Sequence, residues 1–515
     1  MRRAADVTLA LAPMPAGAPR QRWLFEEIRS AIAAGRLAPG ARLPTSRDLA
    51  RTLGLSRATV VAVFDQLAAE GYVVGRVGRG SFVSDQLPEH WPQGAVAPSP
   101  AAVPRSGAPA LSARGAALCA MPAPTRGRSW PAPAFRPHHP DLDAFPFDLW
   151  NRIAGRRSRL AHRHLLAEGD ALGLPALRDA IADHLRLTRG LSCSGAQVAV
   201  VGSIQQAIDL LARLLLDPGD AAWMEDPGYP GARLALAAAG ARVVGVPVDE
   251  GGLDVAAGRA LAPGARLAYV TAGRHTPLGM PLALERRLAL LAWADEADAI
   301  LIEDDYDSEF RFEGAPLAAM KSLDAADRVV YAGTFSKMLF PALRLAFVVL
   351  PDRLVDPFAG ALALTARFLP TASQAVLHAF IAEGHFGRHL RRMRLHYAER
   401  AEALTRAVGH HLAGMLSLPP IAMGLDAPAF LPAGSDGADI ARRAGAAGLE
   451  TRPLSYYAVD HPVRPGLMLG FAAVPPAAIA AGVERLARVI EAARGGGGSG
   501  VYTTQNNYLS VDMPA

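Results

Sequence analysis

Residues 329–350 read VVYAGTFSKMLFPALRLAFVVL: two apolar runs, Val329–Ala332 and Leu345–Leu350, frame a turn that carries Thr334, Ser336 and Lys337. Short apolar runs bounded by polar turns are the pattern of strands covered on both faces. Of the chain's 53 basic residues only Lys321 and Lys337 are lysines. A lone lysine after a strand is usually a surface group. In a chain that otherwise uses arginine, it suggests chemistry that guanidinium does not do, because a primary amine forms a Schiff base.

Upstream, Ile300–Tyr306 (ILIEDDY) is a second apolar run that ends in carboxylates and a phenol. Helical patterns over 176–189, 203–216 and 284–297 alternate with the runs Val198–Val201, Leu267–Thr271 and Ala299–Glu303. Alternation of this kind predicts an α/β domain around a largely parallel sheet, whose chemistry collects at the C-terminal strand ends. Asp304, Tyr306 and Lys337 fall at such ends. Asp304 suits a protonated ring nitrogen, Tyr306 a ring oxygen, and Arg344 with Ser336 a phosphate. Ser203 and Ile204 follow a strand and open a helix, where amide hydrogens favour phosphate. Tyr229, in EDPGYPG, is placed to stack on a ring.

The N-terminal part follows a different pattern. Residues 35–83 read GRLAPGARLPTSRDLARTLGLSRATVVAVFDQLAAEGYVVGRVGRGSFV. Leu24, Phe25, Ile28 and Ile32 give an amphipathic first helix, and Thr45–Asp48 forms an N-terminal box for a second that stops at Gly54. Ser56 caps a third helix with Val60, Val63, Phe64 and Leu67 on one face. Tyr72–Val74 and Ser81–Val83 then read as a hairpin. Helix, turn, helix and hairpin predict a winged helix-turn-helix, whose last helix enters the major groove by its N-terminal end. Ser56, Arg57 and Thr59 lie at that end, Arg79 lies at the wing tip, and Thr45, Ser46 and Arg47 open the preceding helix. Residues 1–84 hold 12 Arg against 6 acids, a net of +6 in a chain whose total is +5, as expected of a module that binds double-stranded DNA.

A chain of 515 residues exceeds one hydrophobic core, and 51% apolar content excludes a disordered protein. Cys119 and Cys193 offer neither a disulfide framework nor a metal spacing, which suits a reducing cytoplasmic setting. No apolar run reaches the length of a membrane span, and Asp6, Pro13 and Pro15 argue against a signal peptide. The expected organisation is a DNA-binding head over 20–84, a Pro/Ala-rich tether over 85–134, a body over 135–494 and a Gly-rich flexible tail over 495–515.

The head's wording resembles the GntR family. In the body, EDPGYP, RRLALLAWA, IEDDYDSEF, YAGTFSKMLFPALRLAF and GRHLRRMRLHYAER resemble fold-type I aminotransferases, and specifically the regulators of the MocR branch of that family. The resemblance spans roughly residues 20–490. It implies a winged helix-turn-helix joined to an aminotransferase-like domain with a small C-terminal α/β subdomain. It further implies pyridoxal 5′-phosphate (PLP) held as a Schiff base on Lys337, with Asp304 at the ring nitrogen, Tyr306 at the ring hydroxyl and Arg344 at the phosphate. The partners it implies are an operator, a small amine or vitamer as effector, and a second copy in a head-to-tail homodimer. Effectors in that family include γ-aminobutyrate, taurine, ectoine derivatives and PLP itself. The other reading is a working aminotransferase that carries a DNA module.

Some positions depart from the pattern. Thr271–Gly279 reads TAGRHTPLG where the family has Thr-Pro-Ser-His-Gln-aromatic-Pro-Thr-Gly, which puts Thr276 beside the expected ring hydroxyl. Glu168 replaces a usual aromatic. Met468 stands where many aminotransferases carry the arginine that grips a substrate carboxylate, with Arg452 and Arg464 nearby in sequence.

Overall fold

The computed structural model describes residues 11–15, 17–76, 79–85, 111, 112, 115, 116, 119, 131–160, 167–314 and 317–495. Most of the expected tether, the tail beyond 495 and Gly78 of the wing lie outside the described residues. The chain divides into two units, Met1–Ala110 and Leu111–Ala515.

In the first unit, α1 (Arg20–Ala33), α2 (Ser46–Leu53) and α3 (Arg57–Ala69) precede the antiparallel hairpin of β1 (Val73–Arg76) and β2 (Gly80–Val83). Leu24, Ile28, Val60, Val63 and Leu67 are fully buried in its core. The helix ends follow local chemistry. Thr45 Oγ1 accepts the Asp48 N–H at 3.2 Å, and Gly54 closes α2 at φ 62°, a conformation that glycine adopts without a Cβ penalty. Ser56 Oγ accepts the Thr59 N–H at 3.1 Å and starts α3. The hairpin runs on to Arg76 and Gly80, further than the apolar residues alone predict, because ladder hydrogen bonds join main chains whatever the side chain.

The second unit is built on an eight-stranded sheet, ordered β3 (Val198–Val201), β10 (Ala346–Val349), β9 (Val329–Thr334), β8 (Ile300–Asp305), β7 (Leu267–Val270), β4 (Ala221–Asp226), β5 (Arg242–Asp249) and β6 (Gly252–Leu253). From β9 to β5 the strands are parallel. The final apolar run of the opening stretch breaks this pattern: β10 lies antiparallel to both β9 and β3. Its connection from β9, residues 335–345, is shorter than the dozen or so residues that a parallel crossover needs, so the chain turns straight back.

Both sheet faces are covered. Along β3, Val198 and Val200 pack into one cluster while Ala199 and Val201 pack into the other. This two-residue alternation, with helices on both sides, is why the strands read as unbroken apolar runs. Covering helices include α4 (Phe147–Leu160), α5 (Pro175–Arg189), α6 (Ile204–Leu215), α7 (Pro230–Ala239), α8 (Val255–Leu261) and α9 (Leu284–Glu296). After the sheet come α10 (Asp352–Ala366), α11 (Thr371–Ala382) and α12 (His385–His411). A smaller antiparallel sheet, ordered β11 (Asp426–Phe430), β13 (Gly466–Gly470) and β12 (Arg452–Pro453), carries α13 (Gly437–Ala446) and α14 (Pro476–Gly495). The segment 135–138 threads against this sheet: a Cβ on Gly470 would lie 1.9 Å from the Arg136 carbonyl oxygen, so only glycine fits there. Asp226, at the end of β4, accepts the backbone N–H groups of Val459, Asp460 and His461 and ties that loop to the large sheet.

Candidate functional site

The C-terminal ends of the parallel strands open into a cavity of about 170 Å³. Every cofactor-site residue expected from the sequence lines it: Ser203, Ile204, Tyr229, Asp304, Tyr306, Thr334, Ser336, Lys337 and Arg344. His138, Gln205, Tyr269, Thr271 and Thr276 complete the lining.

At one end, β8 delivers Asp304. Tyr269, on neighbouring β7, donates its hydroxyl to Asp304 Oδ2 at 2.6 Å, while Oδ1 is buried with no hydrogen-bond partner among the described residues. Burial pushes the Asp304 carboxyl up to about 7, against the opposing pulls of Tyr269 and Lys337. A buried acceptor without a donor is costly, so Oδ1 is poised for a ligand's N–H.

At the other end, Ser203 caps α6, its Oγ accepting the Gln206 N–H at 3.1 Å. The first amides of this 12-residue helix have no acceptor within it and its dipole favours an anion. Arg344 reaches the same cavity from a left-handed backbone, φ 51° and ψ 44°, an uncommon conformation for a residue with a Cβ. Thr334 Oγ1 accepts the Ser336 N–H at 3.1 Å and starts the one-turn helix Phe335–Met338 that carries Lys337.

Between the two ends, Lys337 donates its Nζ to the His138 carbonyl oxygen at 2.6 Å. The other lysine is committed elsewhere: Lys321 Nζ donates to the Val329 carbonyl oxygen at 2.6 Å and lies 3.5 Å from Asp327.

Tyr306 belongs to a buried network that sequence reasoning missed. Arg274 Nη1 donates to the Tyr306 hydroxyl at 2.8 Å and to Asp307 Oδ2 at 3.0 Å, and its Nη2 donates to Asp426 Oδ1 at 3.2 Å and to the Asp426 carbonyl oxygen. Asp426 Oδ2 in turn holds the His138 ring at 2.7 Å. Burial alone would raise the Asp426 carboxyl, but His138 and Arg274 together hold it well below the carboxylate range. Burial raises Asp307 to about 7, and drives the Tyr306 hydroxyl well above its ordinary value, so the phenol keeps its proton. Below the cavity, Glu225 accepts both the N–H and the hydroxyl of Thr271, and burial lifts its carboxyl to about 8.

The departures fall into place. Thr276 lines the cavity together with Tyr306, at the position of the expected aromatic. Met468 is 1% exposed and packs with Leu454 and Tyr457. Arg452 lies 4.8 Å from the Tyr456 ring centroid and Arg464 lies 4.5 Å from that of Phe430; neither lines the cavity. Glu168 pairs with Arg367 on the surface.

In the first unit, Arg47, Arg57 and Arg79 are exposed, and none pairs with a carboxylate among the described residues. Thr45 and Ser56 spend their hydroxyls on capping, and Thr59 Oγ1 lies 2.8 Å from Ser56 Oγ. Ser46 is half-buried at the start of α2. Asp48 pairs with Arg51, while Arg47 and Arg57 beside the two helix starts have no carboxylate partner among the described residues.

Comparison with known proteins bears on both units. Residues 21–83 match the family model of bacterial regulatory proteins of the gntR family, and 145–421 match aminotransferase class I and II. The chain is 40% identical over 472 residues to the probable rhizopine catabolism regulatory protein MocR of Rhizobium meliloti, covering 92% of this chain and 94% of the relative. This chain belongs to the MocR branch of the GntR family. It is also 34% identical to the HTH-type transcriptional regulator TauR of Rhodobacter capsulatus, over 93% of this chain and 98% of that one. Among solved structures, an archaeal alanine:glyoxylate aminotransferase superposes with a TM-score of 0.65 at 26% identity, over 70% of this chain and 91% of that one. This MocR-type chain therefore combines a GntR helix-turn-helix with an aminotransferase fold. Among its described residues no helix is long and apolar enough to cross a membrane.

Proposed function

We propose that this MocR-type regulator binds an operator through its head and senses a small amine through PLP held in the body. One observation carries the reading: an amine, an unpartnered buried carboxylate oxygen and a guanidinium beside a helix N-terminus line a single cavity. These residues fit PLP. Lys337 would hold it covalently, Asp304 its ring nitrogen, Tyr306 and Thr276 its ring hydroxyl, and Arg344 with Ser203, Ser336 and the first amides of α6 its phosphate. Tyr229 would lie against the ring. When bound, PLP supplies a carbonyl carbon that condenses with primary amines and a ring that withdraws electrons.

The chain's own residues suit signalling better than turnover. Of the two lysines, Lys337 lines the cavity, whereas Lys321 anchors the start of β9. Transamination also needs a substrate held rigidly by its carboxylate, and Met468 supplies no such grip. An amine that takes the place of Lys337 would stay bound and report its concentration. In the head, Arg57 and its neighbours at the start of α3 would read bases, and Arg47 and Arg79 would hold phosphates. A homodimer, head to tail, would bring two heads to the two halves of an operator.

Borohydride reduction of the PLP-loaded chain, followed by peptide mapping, tests the anchor. Label on Lys337 supports it. Label on Lys321, or on neither lysine, overturns it.

A further inference from the structure

We propose that Val61, on the face of α3 that carries Arg57, is a specificity-determining residue that reads the 5-methyl group of a thymine in the major groove of the operator. The inference rests on the head reading DNA by α3, and it adds a base to that reading.

The two faces of α3 differ. Val60, Val63, Phe64 and Leu67 are buried in the core of the head. Arg57, Ala58, Val61 and Asp65 are exposed on the other side. Of the large apolar side chains on α1, α2 and α3, Val61 alone is exposed, at 37%. It belongs neither to the core nor to the side chains packed on it, so the fold does not need a valine there. A lone exposed valine means little by itself; its position is what carries weight. Val61 follows Arg57 at i+4, so the two side chains share one stripe of the helix.

The surroundings of Val61 suit a DNA backbone. It lines a cleft of about 290 Å³ between α3, the start of α2 and the wing, together with Thr45, Ser46 and Ser81. Exposed Arg42 lines the same cleft. Hydroxyls and a guanidinium are phosphate partners, whereas Val61 offers neither charge nor hydrogen bond. In unmodified DNA the apolar group on a major-groove base edge is the thymine methyl. Asp65 lines the cleft one turn later, and its charge opposes the phosphates, so the reading stretch of α3 ends there. Four residues of helix advance about 6 Å, close to two base steps of about 3.4 Å each. With Arg57 on a guanine, the thymine is expected within about two base pairs of it.

Selection of a randomised duplex pool on the full chain supplies the probe. Each thymine of the enriched duplex is then replaced by deoxyuridine, which lacks only the methyl. Replacement of a thymine within about two base pairs of a required guanine is expected to raise the dissociation constant about fourfold, the effect of one methyl-sized group returned to water. Val61→Ala is expected to bind the two duplexes alike, and Val61→Thr, which keeps one methyl branch, to keep part of the difference. Both substitutions alter an exposed side chain and leave the core of the head intact. Equal binding of thymine and deoxyuridine duplexes by the wild type at every position, or a difference that survives in Val61→Ala, overturns the thymine contact and leaves reading by α3 in place. A pool that enriches no sequence, or a sequence preference that Arg57→Ala does not alter, overturns reading by α3 and the thymine contact with it.

Discussion

Asp304→Asn is expected to have opposite effects on the cofactor-free protein and on cofactor affinity. The Asp304 carboxyl is raised from 3.8 to about 7 by burial. Between those values the folded state binds a proton that the unfolded state has released, so stability falls as pH rises through this window. At 1.36 kcal/mol per unit, the penalty above pH 7 is about 4 kcal/mol. Asparagine keeps the shape, keeps an acceptor for the Tyr269 hydroxyl and cannot ionise. The cofactor-free variant is therefore expected to be more stable than the wild type at pH 8, by up to about 4 kcal/mol, with the gain shrinking toward zero near pH 4. In the same variant PLP loses a charged partner for its ring nitrogen. A hydrogen bond to a charged group contributes about 1.5–3 kcal/mol, so the PLP dissociation constant should rise roughly ten- to hundredfold. Urea midpoints of the stripped proteins at pH 4 and pH 8 read the first effect, and equilibrium dialysis with PLP reads the second. A variant that is less stable than the wild type at pH 8, or that binds PLP equally well, refutes the role given to the unpartnered Oδ1.

Three further outcomes follow from other contacts. Lys337→Ala is expected to abolish the yellow colour of the PLP-loaded protein, as read by absorbance after desalting, whereas Lys321→Ala should leave it. Arg274→Met strands Asp307 and Asp426 in the interior and is expected to cost roughly 3–5 kcal/mol, read as a lowered urea midpoint; an unchanged midpoint would contradict the network. In the head, Arg57→Ala should weaken operator binding by about 1–3 kcal/mol and relax base preference, while Arg79→Ala should weaken all sequences evenly and flatten the salt dependence. Gel-shift titrations at several salt concentrations separate the two.

Legibility in the sequence followed sequence distance. The cavity lining was readable because each residue sits at a strand end or a helix start inside a recognisable motif: Asp304 closes β8, Lys337 follows β9, and Ser203 opens α6. The head was readable for a similar reason, since Thr45, Gly54 and Ser56 punctuate helices through local capping. The Arg274 network was not readable. Asp426 lies 152 residues from Arg274 and 288 from His138, and no local pattern links them. Tyr269 looked like one more apolar residue of β7, because its role depends on Asp304 of the adjacent strand. The antiparallel course of β10 was hidden because an apolar run carries no direction; only the short connection from β9 reveals it.

In the proposed function, an amine acting at Lys337 changes what the head does on DNA. Its most direct test is the operator dissociation constant of the PLP-loaded full chain, measured with and without a saturating amine, for the wild type and for Lys337→Ala reconstituted with PLP. The amine is expected to shift the wild-type constant severalfold and to leave that of Lys337→Ala unmoved. An amine response that persists in Lys337→Ala, or a wild-type constant that does not respond to any amine that perturbs the visible band, would contradict it.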